Sequence, residues 1–404
     1  MTEPHARPAR EMAHERGSRV WAEIDLDRLA ANVASLKQAA AGARLLVSVK
    51  ANAYGHGAVL CARTALEAGA DFLGVACVEE GEELRRAGIN APVLVLSSTP
   101  AGMAERAMAS DLRLIVGSLE QAQALSRAAQ AVGATAKLHI KVETGMNRFG
   151  VAADAAPQLA NAIRELPAVE VEGLSSHLAA SDDQDKTFTR RQFERFQACA
   201  RQLDWIPIHH IANTGAALDL PDLRLNMVRC GIGAYGYYPS EHIQRHVQLA
   251  PVMALRSRTA RVETIEAGEG VGYGLAWRAP RRSRVALVLA GYGDGIRRSL
   301  SNKGIALVRG QRASYAGRVA MDMIALDVSH IPGVSLDDEV TLLGTQGSGS
   351  VDAKELAELA GTISYEVLTG VMQRVTRIYS SAGRIVAVQD LAGLHDEHQF
   401  AGPI

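Results

Sequence analysis

A lysine that ends an apolar run and precedes a glycine-rich turn is placed to act as a nucleophile, and Lys50 has that setting. Leu45-Leu46-Val47-Ser48-Val49 reads as a buried strand. After the lysine come Ala51-Asn52-Ala53-Tyr54-Gly55-His56-Gly57, and a helical pattern starts near Ala58. At the C-terminal mouth of a parallel strand the amine would point into a pocket walled by apolar side chains. Desolvation there disfavours the ammonium form and lowers the pKa, so that a Schiff base with an aldehyde becomes feasible. The glycines let backbone N–H groups approach a ligand, and Tyr54 adds a hydroxyl. A strand-end lysine by itself would read as a solvated rim residue. The surrounding string is what distinguishes this one.

Other segments carry groups of matching kind. Lys141-Val142-Glu143-Thr144-Gly145-Met146-Asn147-Arg148-Phe149-Gly150 begins in a strand and continues into a loop, where an arginine offers five fixed donors to an oxyanion or carboxylate. Leu174-Ser175-Ser176-His177-Leu178-Ala179 puts a histidine at a strand end. His210-Ile211-Ala212-Asn213-Thr214-Gly215 and Asn226-Met227-Val228-Arg229-Cys230-Gly231-Ile232-Gly233 close the last two strands of the first half, a usual place for a phosphate on backbone N–H groups and a hydroxyl. Further on stand Val271-Gly272-Tyr273-Gly274, Ala290-Gly291-Tyr292-Gly293-Asp294-Gly295, Gly317-Arg318-Val319-Ala320-Met321-Asp322-Met323 and Tyr365-Glu366-Val367.

These groups need elements to position them. From Leu45 to about Gly236 short β-branched runs alternate with helix-period stretches. Strands are expected to begin near Leu45, Asp71, Pro92, Leu112, Ala136, Ala168, Pro207 and Arg224, with amphipathic segments such as 78–87, 118–132 and 188–203 between them. Eight such units read as α/β, a (β/α)8 TIM-like barrel with its chemistry at the C-terminal strand ends. A doubly wound open sheet is the alternative, but it would want a Gly-x-Gly-x-x-Gly turn after its first strand, and none is there. Past Gly236 the strand-like stretches 256–265, 284–289, 313–328 and 339–343 alternate with glycine-rich turns, so a mostly β C-terminal domain is expected. The expected division is a disordered tail over residues 1–18, a barrel over 19–248 and the β domain over 249–404. The strand at 20–25 would be free to pair with the C-terminal sheet.

Bulk composition narrows the partners. The 404 residues exceed one ordinary core. A net charge of −1 gives no reason to expect nucleic acid or an anionic membrane, and no stretch approaches a membrane span. Cys61, Cys77, Cys199 and Cys230 are scattered with no Cys-x-x-Cys spacing. No metal site or disulfide framework is expected from them, and they fit a reducing cytoplasm.

The lysine segment resembles the pyridoxal-phosphate lysine segment of the alanine racemases, and the other segments follow in that family's order from about Val20 to Tyr379. The resemblance implies pyridoxal 5'-phosphate as cofactor and L- and D-alanine as substrates, with D-alanine going to peptidoglycan. It makes Lys50 both cofactor anchor and one catalytic base. Tyr273 would be the second base, reaching the active site of the partner subunit in a homodimer with shared sites. Arg148 would contact the cofactor's phenolic oxygen and the substrate carboxylate, and Lys141 is the position that is often carbamylated. His177 would lie against the pyridine ring. Arg229 would stand at the pyridine nitrogen, donating to it because a guanidinium keeps its proton. Tyr54, Thr214, Gly231, Ile232 and Tyr365 would bind the phosphate. Met321 would place its backbone near the substrate carboxylate, and Tyr292 would narrow the entrance. Ala320 and Thr376 replace residues expected to be Cys or Ser and Pro, and neither side chain is a catalytic group.

Racemisation removes a proton from one face of Cα and returns one to the other, so two bases on opposite faces are the simplest arrangement. Other readings are a racemase of wider specificity, for serine or basic amino acids, and a non-catalytic pyridoxal-phosphate carrier. Basic-amino-acid decarboxylases share the barrel-plus-β plan but would put an acidic residue in place of Arg229.

Overall fold

The structure is a computed structural model that describes residues 9–396. The chain divides into two compact units. One comprises Leu29–Ala53 and Ala58–Ala250; the other is the described part of Met1–Arg28, Tyr54–Gly57 and Pro251–Ile404.

The first unit is a closed parallel barrel. Its strands are Arg44–Ser48, Phe72–Val75, Val93–Ser98, Arg113–Val116, Ala136–Glu143, Val169–Ser175, Ile208–His210 and Met227–Cys230. Each runs parallel to the next, and the eighth pairs with the first in the register Met227↔Arg44 to Cys230↔Val47. The seam between the last two strands is closed by Asn226 N–H donating to His209 O at 3.2 Å and Arg229 N–H donating to Ala212 O at 3.0 Å. The expected strand starts fall within three residues of these. Continuous apolar runs form the strands because both faces are covered, and Leu46, Phe72, Leu94, Ile115, Ile208 and Met227 make a buried cluster in the unit. Helices alternate with the strands. Leu119–Val132 shows why they stop where they do: Ser118 accepts Gln121 N–H at its start, and Gly133 at φ 68° ends it.

The second unit is built on an eleven-stranded sheet. Val20–Asp25 lies between Met253–Ile265, antiparallel with Val20↔Ser257, and Thr376–Ser381, parallel with Trp21↔Thr376. Two expectations need correction here. The stretch 313–328 is not one strand but two, Gln311–Tyr315 and Ile324–Asp327. Gly317 at φ 100° turns the chain away, and Ala320 N–H bonds Met323 O at 3.0 Å in the loop. The tail expected to be disordered contains the helix Ala9–Glu15. Met12 and Ala13 pack with Trp21, Ile378, Ile385 and Val388, and this apolar burial orders the segment. Residues 1–8 lie outside the described residues. Among the described residues no helix is long and apolar enough to cross a membrane.

Candidate active site

The barrel unit brings Lys50, Lys141, Arg148, His177, Thr214, Arg229, Gly231 and Ile232 to its C-terminal strand ends. Lys50 lies two residues past the end of the first strand, and the next residues take an unusual path. Ala51, Asn52 and Ala53 sit near φ 51–53° and ψ 50–52°, and Tyr54 has φ 52°. This is a left-handed turn made without glycine, at about 1–2 kcal/mol per residue, and strain of this sort gathers at functional sites. Burial lowers the pKa of the Lys50 amine; the Arg148 charge adds to the effect and Glu80 opposes it.

Arg229, buried on the eighth strand, organises the centre. Its Nη1 donates to His210 Nδ1 at 2.6 Å, and Nη2 donates to Ser176 O at 2.7 Å, Ile211 O at 3.0 Å and His177 Nδ1 at 3.2 Å. Its Nε–H has no acceptor among the described residues, which suits it to an aromatic ring nitrogen. Because the guanidinium can only donate, both imidazoles must present an unprotonated Nδ1 to it. His177 therefore carries its proton on Nε2, and so does His210, which donates to His139 Nδ1 at 2.8 Å. His139 in turn donates from Nε2 to Glu172 Oε2 at 2.9 Å. Gly173 makes room for this chain, since a Cβ there would lie 2.1 Å from His139 Nδ1. Sequence reading assigned no role to His139, His210 or Glu172. Polar residues inside otherwise apolar strands were the only available signal.

Burial lowers the pKa of His139, and burial with the Arg229 charge pushes His177 and His210 well below the usual imidazole value. The unfolded chain therefore takes up protons on these residues more readily than the folded one. Their stabilisation is present above about pH 6.5 and is lost as the pH falls below it. The fully buried pair, His139 and His210, should contribute most of this loss. Urea unfolding at pH 7.5, 6.5 and 5.5 checks this; a flat profile would contradict it.

Lys141 lies on the fifth strand, buried, with its amine 5.8 Å from the Phe149 ring centroid. Burial, with the charges of Arg229 and Arg148, brings its pKa down to about 7 against the opposing pull of Glu143. The loop beyond is gathered by the Glu143 carboxylate, which accepts N–H bonds from Gly145 at 2.5 Å, Met146 at 2.6 Å and Arg148 at 3.2 Å. Burial would raise that carboxyl's pKa, but the backbone donors outweigh it and hold it low. The loop presents Arg148 exposed at the rim. At the last two strands Thr214 Oγ1 accepts Gly231 N–H at 3.1 Å, and Ile232 begins a 3-10 turn whose first N–H groups point out of the helix. A hydroxyl and helix-start amides form a donor set that fits a phosphate, so the residues of this unit suit pyridoxal phosphate: an amine for its aldehyde, a donor for its ring nitrogen and a cradle for its anion.

The β unit holds the remaining assigned residues. The rings of Tyr54 and Tyr365 stand 6.1 Å apart. Arg377 Nε donates to Gly55 O at 2.8 Å, and a Cβ on Gly55 would lie 2.2 Å from Leu368 O, so the Tyr54–Gly57 segment is tightly seated. Tyr273 stands between Gly272 and Gly274, both at positive φ, and is 72 % exposed. Tyr292 and Met321 are held side by side: Tyr292 N–H bonds Ala320 O at 2.9 Å and Gly293 N–H bonds Met321 O at 2.8 Å. They are 41 % and 52 % exposed.

Known proteins share this plan. The family model "Alanine racemase, N-terminal domain" matches residues 24–239, and "Alanine racemase, C-terminal domain" matches residues 252–379. The alanine racemase of Desulfosudis oleivorans is 43 % identical over 374 residues, covering 89 % of this chain and 96 % of its own. That of Clostridium perfringens is 41 % identical over 377 residues, covering 91 % and 97 %. The solved alanine racemase of Clostridium difficile 630 superposes with a TM-score of 0.88 at 34 % identity, covering 92 % of this chain and 98 % of that one. With both domain models matched in order and the barrel-mouth lysine, arginine and histidine set in place, this chain belongs to the alanine racemase family.

Proposed function

We propose that this protein interconverts L-alanine and D-alanine with pyridoxal 5'-phosphate as cofactor, in the cytoplasm, supplying D-alanine for peptidoglycan. The observation that carries this reading is the desolvated Lys50 amine at the barrel mouth, in one unit with a buried arginine that can only donate, as a ring nitrogen requires. When bound, the cofactor condenses with an amine through its aldehyde and acidifies the Cα–H of an amino acid by withdrawing electrons. The protein's own groups then divide the work. Thr214, Gly231 and Ile232 bind phosphate, with the phenols of Tyr54 and Tyr365 as further donors. Arg229 donates to the ring nitrogen without giving up its proton, and Arg148 binds the substrate carboxylate, with the Met321 backbone beside it.

Lys50 moves the proton on one face of Cα and serves D-alanine. Tyr273 from a second copy moves it on the other face and serves L-alanine. A phenol ordinarily ionises near pH 10, too high for a base at neutral pH. His177, neutral and with its proton on Nε2, is the donor that can favour a phenolate, and Arg229 holds it in that tautomer. The exposure of Tyr273, Leu275, Tyr292, Met321 and Met323 on the β unit is consistent with a homodimer in which they meet a second copy. Tyr292 would narrow the entrance.

The Lys141 amine, about half of it uncharged at pH 7, can add carbon dioxide with release of a proton, and the resulting carbamate would set a negative charge against Arg148 and Arg229. Labelled bicarbonate should give a carbamate carbon resonance that Lys141→Ala lacks; equal spectra would refute it.

The function is tested by incubating the protein, loaded with pyridoxal phosphate, with single enantiomers of alanine, serine, lysine and arginine and following optical rotation. Alanine should lose its rotation fastest. Faster loss with serine or a basic amino acid would make this a racemase of different specificity, and bound cofactor with no turnover would make it a carrier.

A further inference from the structure

The turn that carries Lys50 has to be held against its own backbone preference. Ala51, Asn52, Ala53 and Tyr54 all lie in the left-handed region and none is glycine, so the conformation persists only where its polar groups are tied down. Two ties are local: Ala53 N–H donates to Val49 O at 2.8 Å, and Asn52 Oδ1 accepts Ala58 N–H at 2.8 Å. The third comes from another element. Glu80 lies in the first turn of helix Val78–Arg86, which follows the second barrel strand. Its Oε1 accepts Ala51 N–H at 2.7 Å, and its Oε2 accepts Ala76 N–H at 2.6 Å.

One carboxylate thus joins the residues just beyond two neighbouring strands, Arg44–Ser48 and Phe72–Val75, which pair in parallel from Leu46↔Phe72. Glu80 is the third residue of its helix and reaches back past Cys77, whose own side chain makes no cap bond, to the Ala76 amide. In the sequence it sits among Glu79, Glu82 and Glu83 and reads as one more residue of a solvated helix face.

We infer that Glu80 is a positioning residue for Lys50: its carboxylate, anchored on the Ala76 amide, fixes the left-handed turn at Ala51 and so sets where the Lys50 amine points. The inference rests on the reading of Lys50 as the cofactor-bearing amine. The carboxylate has a second consequence. The charged and titratable groups acting on the amine are Arg148, which lowers its pKa, and Glu80, which raises it, with His177 coupled to it as well. Glu80 therefore opposes the lowering of the amine's pKa by burial and by Arg148, while the turn keeps it aimed.

The test uses the full chain stripped of pyridoxal phosphate, so that the Lys50 amine is free. Hydrogen exchange reports the Ala51 and Ala76 amides, and competitive labelling with acetic anhydride across pH reports the midpoint at which Lys50 becomes reactive. In Glu80→Ala both amides should exchange at least about tenfold faster, the loss expected for a charge-assisted bond. The Lys50 midpoint should fall. Glu80→Gln separates geometry from charge: a carboxamide oxygen can still accept one of the two amides, so part of the protection stays, while the midpoint falls as in Glu80→Ala.

Unchanged exchange at Ala51 together with an unchanged Lys50 midpoint overturns the inference. Should Glu80→Ala fail to fold, the midpoint in Glu80→Gln decides alone, and no shift there is a refutation. Failure of the underlying reading looks different. Borohydride reduction and peptide mapping of the loaded wild-type protein would find no pyridoxyl adduct on Lys50, whereas the exchange and labelling results, taken without cofactor, would stand.

Discussion

Lys50→Ala should abolish racemisation while leaving the protein folded, with a loss of at least roughly 10⁴-fold in the rate of optical-rotation decay from either enantiomer. The size follows from two roles meeting in one amine. It is the group that can condense with the cofactor aldehyde, and it is the base for one face of Cα. Its position makes it suited to both: desolvation biases it toward the neutral, nucleophilic form, and the left-handed turn fixes its base. The substitution removes no buried apolar group and no hydrogen bond that the side chain makes among the described residues, so thermal unfolding should shift little. The absorbance of cofactor bound through its aldehyde should disappear as well. A variant that retains activity within tenfold of wild type would take Lys50 out of the chemistry.

Tyr273→Phe should produce an asymmetric defect. Solvent deuterium exchange at Cα of L-alanine should fall by roughly 10²–10⁴-fold, the usual contribution of a positioned general base, with a much smaller effect on exchange from D-alanine. Equal losses from both enantiomers would contradict the division of labour between Lys50 and Tyr273. The substitution removes only the phenolic hydroxyl and keeps the ring, so the effect can be read as chemical. The same variant tests the shared site. In a heterodimer of Lys50→Ala with Tyr273→Phe subunits, one site lacks both bases and the other has both. Random subunit exchange of two inactive proteins should therefore restore about a quarter of wild-type activity. No recovery after verified exchange would argue for a site completed within one chain.

The parts of this protein that rest on local pattern were legible in the amino-acid order. Apolar runs separated by helix-period stretches located the barrel strands to within a few residues, because a strand buried on both faces must be apolar throughout whatever surrounds it. The texture change after Gly236 announced the β-rich half for the same reason. Lys50, Arg148, His177 and Arg229 were singled out by the strings around them, which resemble those of the alanine racemases, and their places at or beyond strand ends fit a barrel whose strand ends converge.

Misreadings came where local pattern is silent about packing. The charged segment ahead of Val20 looked unable to fold, yet Met12 and Ala13 find an apolar seat against Trp21 and Ile378. The stretch 313–328 kept a strand-like composition through a turn. What only the tertiary structure decided are the polar connections: the left-handed path of Ala51–Tyr54, the Glu80 carboxylate that joins two strand ends, and the chain from Arg229 through His210 and His139 to Glu172. A hydrogen bond between strands far apart in sequence depends on their register to within an ångström, and nothing in the spacing of residues along one segment encodes the register of another.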